Sequence, residues 1–128
     1  MKSTSEPVVI VAAKRTPMGA FQGQFKSLSS PQLAAAAIAA AVEQSEVNGE
    51  DFSEAILGCV LPAGVGQAPA RQAVLAAGLP TSLPCTTINK VCGSGMKAVM
   101  LAHDCLAGEV RKFCLRLASH HSCDRESS

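Results

Sequence analysis

Cys92 stands in the run Asn89-Lys90-Val91-Cys92-Gly93-Ser94-Gly95-Met96-Lys97-Ala98, where a short apolar segment ends and a longer one begins. The small residues after it open a predicted helix. A thiol at a helix N-terminus meets unpaired N–H groups and the helix dipole, which favour a thiolate. Cys92 is therefore a candidate nucleophile. Three chemistries fit a cysteine and a serine at such a junction. Cys92-Gly93-Ser94 echoes a papain-type nucleophile, but Gly95 follows, and no His and Asn partners stand at a suitable distance. Ser94 does not meet the G-x-S-x-G pattern of a serine hydrolase, because Cys92 stands two residues before it. Acyl transfer through the Cys92 thiol stays open. So does the plainer reading of Cys92 as a buried core thiol, since free cysteine is among the most buried residue types.

The neighbouring polar residues are assigned plainer roles. Ser94 is a helix-start hydrogen-bonding residue, and Asn89 shapes the turn. Arg71 is a structural or interface residue. Gly64-x-Gly66 is not a dinucleotide fingerprint, because the third glycine is missing. His103 lies eleven residues beyond Cys92 on the same predicted helix, about 16 Å away at 1.5 Å per residue, too far for proton transfer. Cys59, Cys85 and Cys105 sit inside apolar segments and read as core thiols. Cys114, His120, His121 and Cys123 match no common zinc spacing, and no metal or cofactor-binding residue is assigned.

The elements that must position Cys92 follow from periodicity and punctuation. Val8–Ala13 is a short β-branched run, predicted as a strand buried on both faces. Ser30-Pro31 predicts a helix start with Ser30 as N-cap, and the helix runs to about Gln44. Residues 55–61 and 86–88 read as strands, and 70–77 as a short helix closed by Gly78. Residues 93–107 read as a helix buried on nearly every face and stopped at Gly108. Strands alternating with helices predict an α/β fold with a mainly parallel sheet. After Gly108 the pattern breaks down, and the apolar strand that should follow is not evident.

Composition narrows the function classes. Among 128 residues, 48% are hydrophobic, with no Trp or Tyr and four Phe, which describes a folded core of small side chains. The net charge of +1, without a basic stripe, argues against nucleic acid. No apolar run is long enough for a membrane span. Met1–Pro7 is neither a secretory signal nor an Arg-rich presequence, and Glu126-Ser127-Ser128 is no peroxisomal address, so a cytoplasmic location is expected. Six cysteines in such a compartment are expected to be mostly reduced.

Three blocks carry a family resemblance. Asn89-x-x-Cys92-Gly93-Ser94-Gly95-x-x-Ala98 resembles the active-site segment of the thiolases, the acetyl-CoA acetyltransferase family. Val9 to Gly19 resembles that family's first strand and loop. Gly64-x-Gly66-Gln67-x-Pro69-Ala70-Arg71-Gln72-Ala73, followed by Ala77-Gly78-Leu79-Pro80, resembles the segment before the nucleophile. The blocks occur in family order and span about residues 7–107.

The resemblance implies a thiolase-like N-terminal half-domain over 1–108, incomplete as an α/β unit, with an atypical tail over 109–128. It implies Cys92 as the nucleophile that takes an acyl group from a CoA thioester. An acetyl-CoA carbanion or free CoA then receives it, a reaction of lipid metabolism. Coenzyme A thioesters are substrates here, not bound cofactors. The backbone N–H of Cys92 is expected to help hold the oxyanion, and Gly93 and Gly95 to admit a substrate close to the backbone. A homo-oligomer is expected of the full-length form.

The chain departs from the family in one respect. The later Asn-Glu-Ala-Phe, Gly-His-Pro and Cys-x-Gly-Gly-Gly segments are not found in these residues. Without them the thiol lacks its activating histidine and the carbanion step its base, so this chain alone is expected to be inactive in condensation and thiolysis, with a frameshift, misassigned splice or gene fragment beginning near Glu109. The competing expectation is a non-catalytic fragment, or an interaction module, that keeps the nucleophile fold.

Overall fold

The computed structural model describes residues 6–108 and 113–119. Three helices and three strands alternate: α1 (Ser30–Ser45), β1 (Glu54–Cys59), α2 (Pro69–Ala76), β2 (Cys85–Ile88), α3 (Ser94–Ala107) and β3 (Cys114–Ser119). The strands form one parallel sheet in the order β2-β1-β3. The α/β expectation holds.

Side-chain alternation on β1 sorts the helices onto two faces. Ala55 and Leu57 join Ala34 and Ile38 of α1 and Ala73 and Val74 of α2 in one core cluster. Ile56 joins Ala98 and Ala102 of α3 in a second cluster on the opposite face. β1, buried between them, is the centre of the unit.

The helix ends follow local chemistry. The N-cap of α1 is Ser29, one residue earlier than expected. Its N–H donates to Gln32 Oε1 at 2.7 Å, while its hydroxyl accepts from the Gln32 N–H at 3.4 Å. Pro31 occupies the first turn as predicted. α2 ends at a left-handed Gly78 (φ +81°), with Gly78 N–H bonded to Leu75 O and Leu79 N–H to Val74 O. That pair of bonds satisfies the last carbonyls and folds Leu79 back onto the core. Gly108 ends α3 at the expected place.

Three expectations are corrected. Val8–Ala13 forms no strand; Val9, Ile10 and Val11 are exposed. β-branched composition makes a strand only where a ladder forms, and among the described residues the sheet is β2-β1-β3, with Val8–Ala13 paired to none of its strands. A strand does follow α3. β3 pairs with β1 from Glu54↔Cys114 to Cys59↔Ser119, and Phe113 packs edge-to-face on Phe52 with centroids 6.3 Å apart. Its sequence, Cys-Leu-Arg-Leu-Ala-Ser, lacks β-branched residues, so no strand signal stood out. Finally, α3 is buried along one stripe only. Ser94, Ala98 and Ala102 face the sheet, whereas Met96 (73% exposed), Val99 and Met100 face outward.

Candidate active site: the Cys92 turn

Cys92 lies in the short link between the C-terminal end of β2 and the first turn of α3. It is exposed. The buried-thiol reading of Cys92 is thereby set aside. Cys59 is the buried thiol, whereas Cys85 and Cys105 are only partly covered. Burial pushes the Cys59 thiol above its ordinary value, against a smaller lowering by a backbone hydrogen bond from Leu61.

The link is a sharp turn built on an unusual residue. Val91 adopts φ +47°, and a β-branched side chain in the left-handed region carries strain of about 1–3 kcal/mol. Hydrogen bonds hold it there. Asn89 Oδ1 accepts from the Val91 N–H at 2.9 Å, and Asn89 Nδ2 donates to Val60 O at 3.2 Å. The Ser94 hydroxyl donates to Val91 O at 2.6 Å and accepts from the Lys90 N–H at 2.8 Å. The N–H groups of Gly93 and Ser94 close the turn onto Lys90 O and Val91 O. The turn-shaping role expected of Asn89 and the helix-start role expected of Ser94 are both present.

The turn is seated on β1. A Cβ built on Gly58 would lie 2.7 Å from the Ser94 carbonyl carbon, so only glycine permits this approach. Sequence reading passed over Gly58, although a glycine inside an apolar strand is the usual mark of a close backbone contact. It also passed over Gln72 and Thr87. Gln72 Nε2 donates to Val65 O and Gln67 O, pinning the loop that contains the left-handed Gly64 and Gly66. Thr87 Oγ1 on β2 accepts from the Ala70 N–H, supplying a cap that the Ala68 N-cap of α2 lacks. Arg71 donates to Leu83 O and Thr81 O, the structural role expected of it.

The other candidates do not converge on Cys92. His103 Nδ1 lies 3.4 Å from Asp104 Oδ1 on an exposed stretch of α3. His120, His121 and Cys123 lie outside the described residues. Among the described residues, no helix is long and apolar enough to cross a membrane.

Residues 8–115 match the family model described as the thiolase N-terminal domain. The mitochondrial acetyl-CoA acetyltransferase of Bos taurus is 56% identical over 101 residues, 79% of this chain and 24% of the relative. The human protein of the same name is 54% identical over 105 residues, 82% of this chain and 25% of the relative. The Xenopus tropicalis protein is 56% identical over 99 residues, 77% of this chain and 24% of the relative. The chain thus spans about a quarter of the length of these relatives. The names overturn the cytoplasmic expectation, because these relatives are mitochondrial proteins. A targeting address is read by a receptor, and the composition of Met1–Pro7 is too little to decide it. From the matched span, the ordered blocks and the level of identity, the chain belongs to the thiolase family, through its N-terminal domain.

Proposed function

We propose that this chain carries the acyl-accepting step of a thiolase-type acyltransferase, with Cys92 as the nucleophile. The thiolate attacks the carbonyl carbon of an acyl-CoA thioester. A new C–S bond forms at Cys92, the CoA C–S bond breaks, and CoA leaves as a thiolate that takes a proton from solvent. The acyl group then passes to an acetyl-CoA carbanion or to free CoA. The observation that supports this reading is the exposed thiol on a hydrogen-bonded, left-handed turn at the start of α3. An exposed cysteine needs no opening of the fold to meet a substrate as bulky as acyl-CoA.

The acylation half-reaction is the activity proposed for these 128 residues. Among the described residues the sole histidine is His103, whose Nδ1 lies 3.4 Å from Asp104 Oδ1, and the carbanion step is not part of the activity proposed for these residues. Incubation with acetyl-CoA followed by peptide mass spectrometry tests the proposal. An acetyl adduct on Cys92, absent in Cys92→Ala, is the expected result. A folded chain that gains no adduct at Cys92 overturns it and favours the non-catalytic module.

A further inference from the structure

We propose that Ser94 is a positioning residue, which holds the Val91–Cys92 turn in its left-handed form and so sets the direction in which the thiol meets a thioester; this rests on Cys92 being the acyl acceptor.

Val91 would leave φ +47° if released, because a β-branched residue is disfavoured there. Both of its backbone polar groups are restrained. Its N–H is held by Asn89, and its carbonyl accepts from both the hydroxyl and the N–H of Ser94. Ser94 is the less replaceable of the two restraints. It is 1% exposed, so water cannot readily take over its hydrogen bonds, whereas Val91 is 67% exposed and free to relax outward. The backbone of Ser94 sits against Gly58 at the centre of the sheet. A rigid strand is thus connected through Ser94 to the residue that precedes the nucleophile. One hydroxyl bridges Lys90 N–H and Val91 O and fixes the peptide planes on which the Cys92 side chain is mounted.

The role separates from simple packing by rescue. If Ser94 acts by restraining Val91, then replacing Val91 with a residue that accepts the left-handed region should compensate for loss of the hydroxyl. Asn is such a residue. The test compares the full chain with Ser94→Ala, Val91→Asn and the double variant S94A/V91N. Acetyl transfer from acetyl-CoA to Cys92 is timed by mass spectrometry. Iodoacetamide labelling of Cys92 and of buried Cys59 is timed in parallel.

Ser94→Ala is expected to slow acetylation of Cys92 at least tenfold. Labelling of Cys92 by the small reagent should change less than threefold, and Cys59 should stay protected. The double variant should recover to within about threefold of Val91→Asn. Equal acetylation rates in the parent and Ser94→Ala overturn the positioning role. So does a loss that Val91→Asn fails to rescue, or one that tracks deprotection of Cys59. No adduct on Cys92 in the parent chain overturns the functional reading, and the positioning role with it. An adduct indifferent to Ser94 overturns the positioning role alone.

Discussion

Gly58 and Ser94 meet backbone to backbone. A Cβ on Gly58 would stand 2.7 Å from the Ser94 carbonyl carbon, 2.8 Å from its oxygen and 2.9 Å from its Cβ. This contact sets the distance between the sheet and α3, and with it the height of the Cys92 turn above β1.

Gly58→Ala is therefore expected to destabilise the chain. Replacing a glycine in extended backbone gains about 0.4–1 kcal/mol by restricting the unfolded chain. Overpacking against an unyielding backbone costs about 1–3 kcal/mol, so the loss should prevail. Urea unfolding checks this, with a lower midpoint and an unchanged slope expected. A midpoint at or above the parent's would mean that α3 is not seated on Gly58.

Thr87 gives a more local prediction. Its hydroxyl oxygen is the acceptor for the Ala70 N–H at 3.1 Å, and Ala70 is buried. Thr87→Val keeps the side-chain shape and leaves that donor without its partner. A loss of about 1–2 kcal/mol is expected, as for removal of a helix cap. Thr87→Ser, which keeps the oxygen, should recover most of it in the same unfolding measurement.

The extent to which such contacts were legible depended on their range. α1, α2 and α3 announced themselves through local signals: Pro31, the Gly78 stop, and alanines at helical spacing. β3 did not, because Cys114–Ser119 becomes a strand through pairing with β1 rather than through its own propensity. Val8–Ala13 failed in the opposite direction, having strand composition without a ladder partner. At the candidate site, Cys92 stood out by residue type and by the blocks around it. The positive φ of Val91 and the seating of Ser94 on Gly58 were hidden, since no sequence pattern records a contact between residues 36 positions apart.

Arg71 should be intolerant of the usual conservative exchange. Its two terminal nitrogens reach Leu83 O at 2.9 Å and Thr81 O at 2.6 Å, a fork that one ammonium cannot reproduce. Arg71→Lys is expected to cost about 1–2 kcal/mol, below the full worth of two charge-assisted bonds because the site is only part-buried. The acceptors are carbonyl dipoles rather than carboxylates. The difference from the parent in urea unfolding should therefore persist in 0.5 M salt, at roughly the ionic strength that screens surface ion pairs.

Cys59 predicts a dependence of stability on alkaline pH. Burial holds its folded thiol above the ordinary 9.0. Below about pH 9, folded and unfolded chains both keep the proton, and the group contributes no slope. As pH rises past that value, the unfolded chain releases a proton that the folded chain retains. Unfolding is then favoured by up to about 1.4 kcal/mol per pH unit, until the folded thiol also ionises. Cys59→Ala removes this contribution. Urea unfolding of the parent and the variant between pH 8 and pH 10.5 should give a stability difference that is flat at first and then shifts in the variant's favour. A difference that stays constant across the range would mean that Cys59 titrates alike in both states.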